Sequence, residues 1–394
     1  MKRFVLILAA VAAAATNDPF AKWEGQVAVH PVARGAERHS MHTYFNVSPE
    51  SPDGKWVLFY TSTTADGHRG DVRIRERATG NEIVLADNIY TEDAHRVACQ
   101  QWISNGRRVV FHNDVNGEWQ VISVDVQTRA KRVLARNRML SWGQATSDIV
   151  PLYKPHWNPG AHPDLELLNV ETGELKTIVT AKATRARYDK EITARFGDKP
   201  VSLFFPILSP DRKRMIFKLA TATGPDPRSK EASDRECLIG YDLENSRFLF
   251  FRAKWGHPAW HPDSKAILNV PNVIIDSDTG NERTIPDLPR FPGSHPSISS
   301  DGKLFTTDLT LETFGGKKTD WGVAVGDLAG KRYKILHRFN NAEGAKSWRV
   351  SHPHPYFSAD GRRIYFNVSD GKWTQLYVAE SGGTAVSAVR PAAQ

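Results

Sequence analysis

Short apolar runs alternate with polar turns along almost the whole chain. A turn of Ser or His, then Asp or Asn, then Gly or a basic residue recurs, and a strand-like apolar run follows it. The copies are SPDGKWVLFYT from Ser51, ISNGRRVVFHN from Ile103, SPDRKRMIFKL from Ser209, HPDSKAILNV from His261, SSDGKLFTTD from Ser299, SADGRRIYFNV from Ser358 and a weaker WNPG at Trp157. The turn positions are Asp53, Asn105, Asn158, Asp211, Asp263, Asp301 and Asp360, about fifty residues apart. This spacing predicts seven repeats.

Each repeat continues with a second hairpin, as in RATGNE, VETGEL and SDTGNE, where Gly supplies the positive φ of a tight connection. Four strands per repeat, with no long amphipathic helical pattern, predict an all-β fold, a seven-bladed β-propeller spanning residues 17–394. The last repeat supplies three strands, so residues 26–32 are expected to add the fourth. The interruptions at 185–200, 221–235 and 311–319 are expected to be functional loops.

The N-terminus has the pattern of a secretory signal peptide. Lys2 and Arg3 precede an apolar run that ends in small residues, and Asn17 and Asp18 interrupt it well before membrane length. We therefore expect residues 1–16 to be removed and the mature protein, without a membrane span, to be secreted or periplasmic.

Charge and cysteine content narrow the partners. The net charge of +8 suits an acidic polysaccharide, while export argues against nucleic acid. Cys99 and Cys237 are too few for a disulfide scaffold; they either pair or are small buried apolar residues. We expect a monomer.

Counting six residues back from each turn Asp gives the same place on the strand nearest the axis of each blade. In the last three repeats this position is His257, His295 and His354, and His352 points to the same side. Converging imidazoles predict a divalent metal, zinc or alternatively manganese or calcium.

A second set of residues suits β-elimination from a uronate. His95 in TEDAHRVACQQW, His112 at the end of VVFHN, and Tyr188 among Arg185, Arg187 and Arg195 provide basic, acidic and cationic groups. Elimination needs a cation or hydrogen-bond donor on the carboxylate, a base for the C5 proton and an acid for the departing oxygen.

The motifs TEDAHRVACQQW and SHPHPYFSADG, with HTYFNVSPESPDGKW, resemble the propeller-fold ulvan lyases and, more distantly, the oligogalacturonate lyases. The resemblance implies a lyase that cleaves ulvan, a sulfated uronate-containing polymer, leaving an unsaturated uronyl end. It implies that His95 and His112 are the catalytic histidines, that Tyr188 is the acid and that Arg195 grips the carboxylate, with Arg187 or Arg212 as alternatives. His257, His295, His352 and His354 would hold the metal.

One departure from the family pattern separates the alternatives. Arg349 stands where oligogalacturonate lyases have a Gln metal ligand, three residues before the HPH motif. In an oligogalacturonate lyase His257 would be the base. A non-catalytic TolB-like binding propeller is the third possibility, and a glycoside hydrolase with paired carboxylates stays open. The absence of a GxSxG motif argues against a Ser-His-Asp hydrolase.

Overall fold

The computed structural model describes residues 18–157, 164–226, 228–269, 272–293, 295–330 and 332–382. Within them the chain forms seven four-stranded antiparallel sheets in chain order around one axis, which confirms the predicted seven-bladed propeller. The predicted signal peptide at 1–16 and the turn position Asn158 lie outside the described residues. No helix in this part of the chain is long and apolar enough to cross a membrane.

The first four blades are built from consecutive strands. The first blade contains β2 His39–Met41, β3 Trp56–Ser62, β4 Arg69–Glu76 and β5 Glu82–Tyr90, and the second contains β6 Gln101–Ile103, β7 Arg108–Val115, β8 Glu118–Asp125 and β9 Lys131–Arg136. The third blade contains β10 Met139–Leu140, β11 Ile149–Tyr153, β12 Leu165–Asn169 and β13 Leu175–Val179, and the fourth contains β14 Ser202–Leu208, β15 Arg214–Ala222, β16 Ser233–Asp242 and β17 Arg247–Arg252.

The last three blades complete the ring. They comprise β18 Ala259–Trp260, β19 Ala266–Asn269, β20 Val273–Asp276, β21 Glu282–Thr284; β22 Ser297–Ile298, β23 Leu304–Thr310, β24 Asp320–Asp327, β25 Tyr333–Asn340; and β26 Tyr356–Phe357, β27 Arg363–Val368, β28 Gln375–Ser381 with β1 Val27–Pro31. Strand β1 pairs antiparallel with β28, so the N-terminal segment supplies the fourth strand as predicted.

The recurring turns owe their shape to one serine and one aspartate. In the first blade the Ser51 hydroxyl donates to Asp53 and accepts from the backbone N–H of Trp56, while Asp53 accepts from the N–H of Lys55. The turns at Ser209, Ser299 and Ser358 repeat this arrangement. The repeat therefore satisfies turn N–H groups that the strands leave unpaired.

Two sequence expectations are corrected. The turn between the first two strands of the third blade does not lie near Trp157, which follows β11. Residues 141–148 join β10 to β11, with Ser147 donating its N–H to the carbonyl oxygen of Gln144. Residues 185–200 are not a plain loop but belong largely to helices α2 (Ala181–Arg187) and α3 (Asp189–Phe196). A further single-turn helix, α1, covers Ala21–Glu24.

Apolar residues from facing sheets fill the space between neighbouring blades, and the largest cluster extends from the second to the fifth blade. The serine turns connect the first strand of a blade to the second at one end of the propeller. Because the strands of a blade are antiparallel, the fourth-to-first connections and the second-to-third hairpins meet at the other end. The chemically interesting side chains lie at that other end, close to the axis.

Candidate functional site

Four imidazoles converge where the connections between blades meet. His95 follows β5, His295 follows β21, and His352 and His354 follow β25; one ring nitrogen of each lies within 4.8 Å of the corresponding nitrogen of the other three. His95, His295 and His354 are buried, and His352 is partly buried. We call these four residues the imidazole cluster.

Hydrogen bonds set the orientation of two of these rings. His295 Nδ1 lies 3.0 Å from both carboxylate oxygens of buried Asp308, and that carboxylate also accepts the backbone N–H of His354. His95 Nδ1 lies 3.1 Å from the carbonyl oxygen of Val350. An acceptor that takes the proton-bearing nitrogen of a ring fixes the tautomer and leaves the opposite nitrogen able to bind a metal ion.

The remaining nitrogens of the cluster fit a metal ion. His95 Nε2, His352 Nδ1 and both ring nitrogens of His354 are buried without a hydrogen-bond partner among the described residues. Unpaired buried polar atoms are costly, and neutral imidazoles facing one another are the donor set of a divalent transition ion. The cluster thus has the chemistry of a metal centre.

His257 lies beside the imidazole cluster but is not one of its four members. Its ring centre is 4.1 Å from that of His295, and its backbone N–H donates to Asn269. Burial, followed by the neighbouring His295 and Lys218, holds the His257 pKa well below its usual value. A neutral imidazole is therefore available here to accept a proton.

A basic recess of about 170 Å³ adjoins the cluster. It is lined by Tyr44, Arg96, Phe204, Phe205, Lys218, Arg235 and Arg349. Tyr44 forms the boundary between recess and cluster, since its ring centre is 4.6 Å from that of His354 and 5.6 Å from that of His95. Four cationic side chains and three aromatic rings thus face one small space.

Two of the cations in the recess lack a counterion. Lys218 and Arg235, both partly accessible, make no side-chain hydrogen bond or ion pair with the described residues. Burial and then Arg235 and Arg349 hold the Lys218 pKa well below its usual value, and burial and the same neighbours lower that of Arg235 to about 10. Crowded, unpaired cations in a cavity favour the binding of an anion.

The other two cations are held by acidic residues of the TEDAHR segment. Arg96 is 2% exposed, donates to Glu92 and lies 5.6 Å over the ring of Phe205. Arg349 lies near Asp93, with 3.9 Å between Nη1 and Oδ2. Burial and neighbouring charges, among them Arg349, lower the pKa of all four imidazoles of the cluster. Arg349 is thus close enough to act on the cluster, and Asp93 is the carboxylate that partly offsets its charge.

The structure groups the histidines differently from the two sets that the sequence suggests. His295, His352 and His354 lie together as the axial register predicts, but their fourth partner is His95 rather than His257. His112 lies on β7, 1% exposed, with its ring against Trp119 and its Nδ1 accepting the N–H of Leu140. The structure therefore joins His95 to the cluster and keeps His112 apart.

Tyr188 and Arg195 lie outside the recess. Tyr188 joins α2 to α3, and its ring packs against Phe248 and Phe251 of β17. Arg195 binds Asp234 through two hydrogen bonds of 2.7 and 2.6 Å. Neither residue lines the space beside the imidazole cluster.

Sequence reasoning missed Lys218, Arg235, Arg96 and Tyr44. Lys218 lies among apolar residues of β15, and Arg235 lies in the polar first half of β16. Both patterns also fit a strand residue that faces solvent. The clearest available signal was Arg96 in TEDAHR, because two acidic residues within four positions are suited to hold a buried guanidinium. Cys99 and Cys237 are both buried and free.

The fold and this site define a seven-bladed propeller with an axial imidazole cluster and an adjacent basic recess. The sequence matches no protein-family model and no curated protein. Among solved structures, the chain is similar to an oligogalacturonate lyase in complex with manganese: 15% identity, 90% of this chain and 93% of that chain, TM-score 0.60. An oligogalacturonate lyase from Vibrio parahaemolyticus is similar at 16% identity, 89% and 93% coverage and TM-score 0.60.

A prolyl endopeptidase is similar over 90% of this chain and 51% of its own, with 11% identity and a TM-score of 0.51. At these identities the likenesses establish the propeller fold alone.

Proposed function

We propose that the protein is a lyase that cleaves acidic, uronate-containing saccharides by β-elimination. The observation that carries the proposal is the basic recess, in which Lys218 and Arg235 bind no carboxylate of the described residues, beside the neutral imidazole of His257. The similarity in fold to two oligogalacturonate lyases supports the same reaction class.

The recess provides what the first half of an elimination requires. The C5 proton of a uronate becomes removable when its carboxylate is neutralised, and Arg96, Arg235 and Arg349 are placed to do this. His257 then accepts the proton, because its lowered pKa keeps the ring neutral at neutral pH. This assignment follows the oligogalacturonate-type alternative and leaves His112 outside the chemistry.

The imidazole cluster would hold a divalent ion through His95, His295, His352 and His354. Four nitrogen donors suit zinc or manganese better than calcium, which prefers oxygen ligands. A bound ion would supply further positive charge for the substrate carboxylate.

The size of the recess favours a short binding site. Its 170 Å³ is less than the roughly 300–1,000 Å³ of pockets that enclose drug-sized ligands, so it suits one sugar ring. Phe204, Phe205 and Tyr44 offer apolar faces to that ring. Galacturonate oligomers are therefore the first substrate class we propose.

Ulvan is the second candidate. Four cations line the recess, more than a single carboxylate neutralises, and a sulfate on the same or the next sugar would use the excess. The sequence motifs resemble ulvan lyases as well. We also propose that the protein acts as an exported monomer, on the basis of its N-terminal signal pattern.

The test is the ultraviolet absorbance of the conjugated unsaturated uronate during incubation of the metal-loaded protein with trigalacturonate and, separately, with ulvan. A rise with trigalacturonate is expected, and a rise with ulvan alone would assign the second candidate. If neither substrate gives a rise while both bind, the protein is a binding propeller and the proposal fails.

A further inference from the structure

The elimination proposed above lacks an acid for the departing glycosidic oxygen, because Tyr188 packs against β17 outside the recess. We propose that Lys218 is this acid: its amine takes up a proton when an anionic saccharide enters, and it gives that proton to the leaving oxygen. This inference rests on the proposed function and adds a catalytic residue to it.

The position of Lys218 supports the role. It lies on β15 opposite Phe204 of β14, so its side chain reaches the recess that the proposed substrate would occupy. Its Nζ is 4.7 Å from the ring centre of Trp255, and no carboxylate of the described residues binds it. The amine is thus held by an aromatic face and left free to exchange a proton.

The charges around Lys218 make its protonation depend on the ligand. Burial disfavours an ammonium group on Lys218, and so do the charges of Arg235 on β16, Arg349 before β26 and Arg96 before β6, while Glu236 opposes them. With the recess empty, the lysine pKa is well below its usual value. A bound carboxylate or sulfate opposes the charge of the guanidinium groups, so it favours protonation of the amine.

The proton and electron balance of the step is complete. His257 removes the C5 proton, and the electron pair of the C5–H bond forms the C4–C5 double bond. The C4–O bond breaks, its electron pair stays on the leaving oxygen, and the Lys218 ammonium protonates that oxygen. Lys218 returns to the amine and the products are an unsaturated uronide and a new saccharide end.

Tyr44 is the other neutral proton donor lining the recess, but it is the weaker acid. Burial raises the pKa of its phenol to about 12. The Lys218 ammonium has a lowered pKa and so releases its proton more readily. Guanidinium groups do not serve this role, because they do not give up a proton in proteins at neutral pH.

The decisive experiment compares leaving groups. Lys218→Met and Lys218→Arg are assayed on digalacturonate and on a galacturonide that carries 4-nitrophenoxide at C4, a group that departs without an acid. Both variants are expected to lose about 10²–10⁴-fold in kcat on digalacturonate and to retain wild-type kcat on the activated substrate. Lys218→Arg keeps the positive charge, so its loss separates proton transfer from carboxylate binding.

Lys213→Met is the matched control, because Lys213 is an exposed lysine at the start of the same hairpin and pairs with Glu244. Calorimetry of galacturonate binding in two buffers of different ionisation enthalpy should show proton uptake by the wild type and none by Lys218→Met. Equal losses on both substrates, or none on either, would overturn the Lys218 assignment. A wild type that cleaves neither substrate would instead refute the proposed lyase.

Discussion

Under the proposed function, the histidines at the axis divide into metal ligands and a proton acceptor, and their hydrogen bonds support this division. His295 and His354 both depend on Asp308, which accepts from the ring of one and the backbone of the other. His257 has no such carboxylate on its ring among the contacts of the described residues and lies outside the four-nitrogen group. The division leads to two predictions.

The first concerns the carboxylate behind the cluster. Asp308→Asn should weaken metal binding by about 10–100-fold, because the His295 ring loses the charged partner that orients it. His354→Ala should abolish stoichiometric metal binding. Metal content after dialysis against a graded chelator series measures both effects; Asp320→Asn, a partly exposed carboxylate position on β24, is the control. Unchanged metal retention in both variants would contradict a metal centre here.

The second prediction separates the two candidate bases. His257→Ala should lower kcat by roughly 10²–10⁴-fold while retaining the metal, since it removes the proton acceptor and no ligand. His112→Ala should retain activity and lose about 1–3 kcal/mol of stability, because the buried N–H of Leu140 loses its acceptor. Kinetics and denaturant unfolding of the two proteins give the comparison. The opposite pattern of activity would return the base to His112.

Among the individual residues, the sequence predicted part of the imidazole cluster. The register of the axial strands identified His295, His352 and His354 because they follow regular blades. His95 lies in an irregular connection where positive-φ residues such as Val97 break any strand register, so the register could not relate it to the other three. Lys218 was not predicted, because a polar position in a strand does not indicate which cavity its side chain lines.

Among the structural elements, the seam between the last and first blades has a buried ion pair. Glu50, 3% exposed, accepts two hydrogen bonds from Arg363 of β27 and one from Tyr365. The pair complements the β1–β28 pairing, which also joins the two ends of the chain. The ring is thus closed both by this ion pair and by the backbone pairing of β1 with β28.

Glu50→Gln should lower the free energy of unfolding by about 3–5 kcal/mol, because Arg363 is left with a buried charge that has lost its main partner. Asp360→Asn removes an exposed carboxylate from the same arginine and should cost less than about 1 kcal/mol. Denaturant unfolding monitored by tryptophan fluorescence compares them. Equal destabilisation by both variants would show that burial of the Glu50 pair is not what matters.

Repeated elements were predictable, and exceptions to the repeat were not. The serine turns follow from short-range chemistry that recurs in four blades, and the closing strand completes the last blade. Helices α2 and α3 interrupt this pattern, although Thr180 is a helix cap whose side chain accepts from the N–H of Ala183. The third blade lacks the serine turn, so its first two strands lie earlier in the sequence than the expected position at Trp157 indicated.

The whole molecule keeps several histidines neutral inside the ring. Burial lowers the pKa of His39 and His156 to about 4 and that of His112 to about 3. Unfolding releases these rings to their usual pKa of 6.5, so the unfolded state binds more protons between that pH and the folded-state value. Stability is therefore full above pH 6.5 and falls as the pH decreases toward 4.

We predict a loss on the order of 3 kcal/mol for each such histidine by pH 4, from the size of its pKa shift. Urea unfolding of the wild type and of His156→Gln between pH 7 and 4 tests this, and the variant should have the shallower pH dependence. Parallel curves for the two proteins would show that protonation of His156 does not contribute.

The central claim is that the recess and the neighbouring imidazole direct an elimination. The most direct measurement is mass spectrometry of the products formed from trigalacturonate in water enriched in oxygen-18. Elimination predicts one product that is lighter than its hydrolytic counterpart by one water and no solvent oxygen at the cleaved bond. Products of hydrolytic mass that carry the label would contradict the account and identify the protein as a hydrolase.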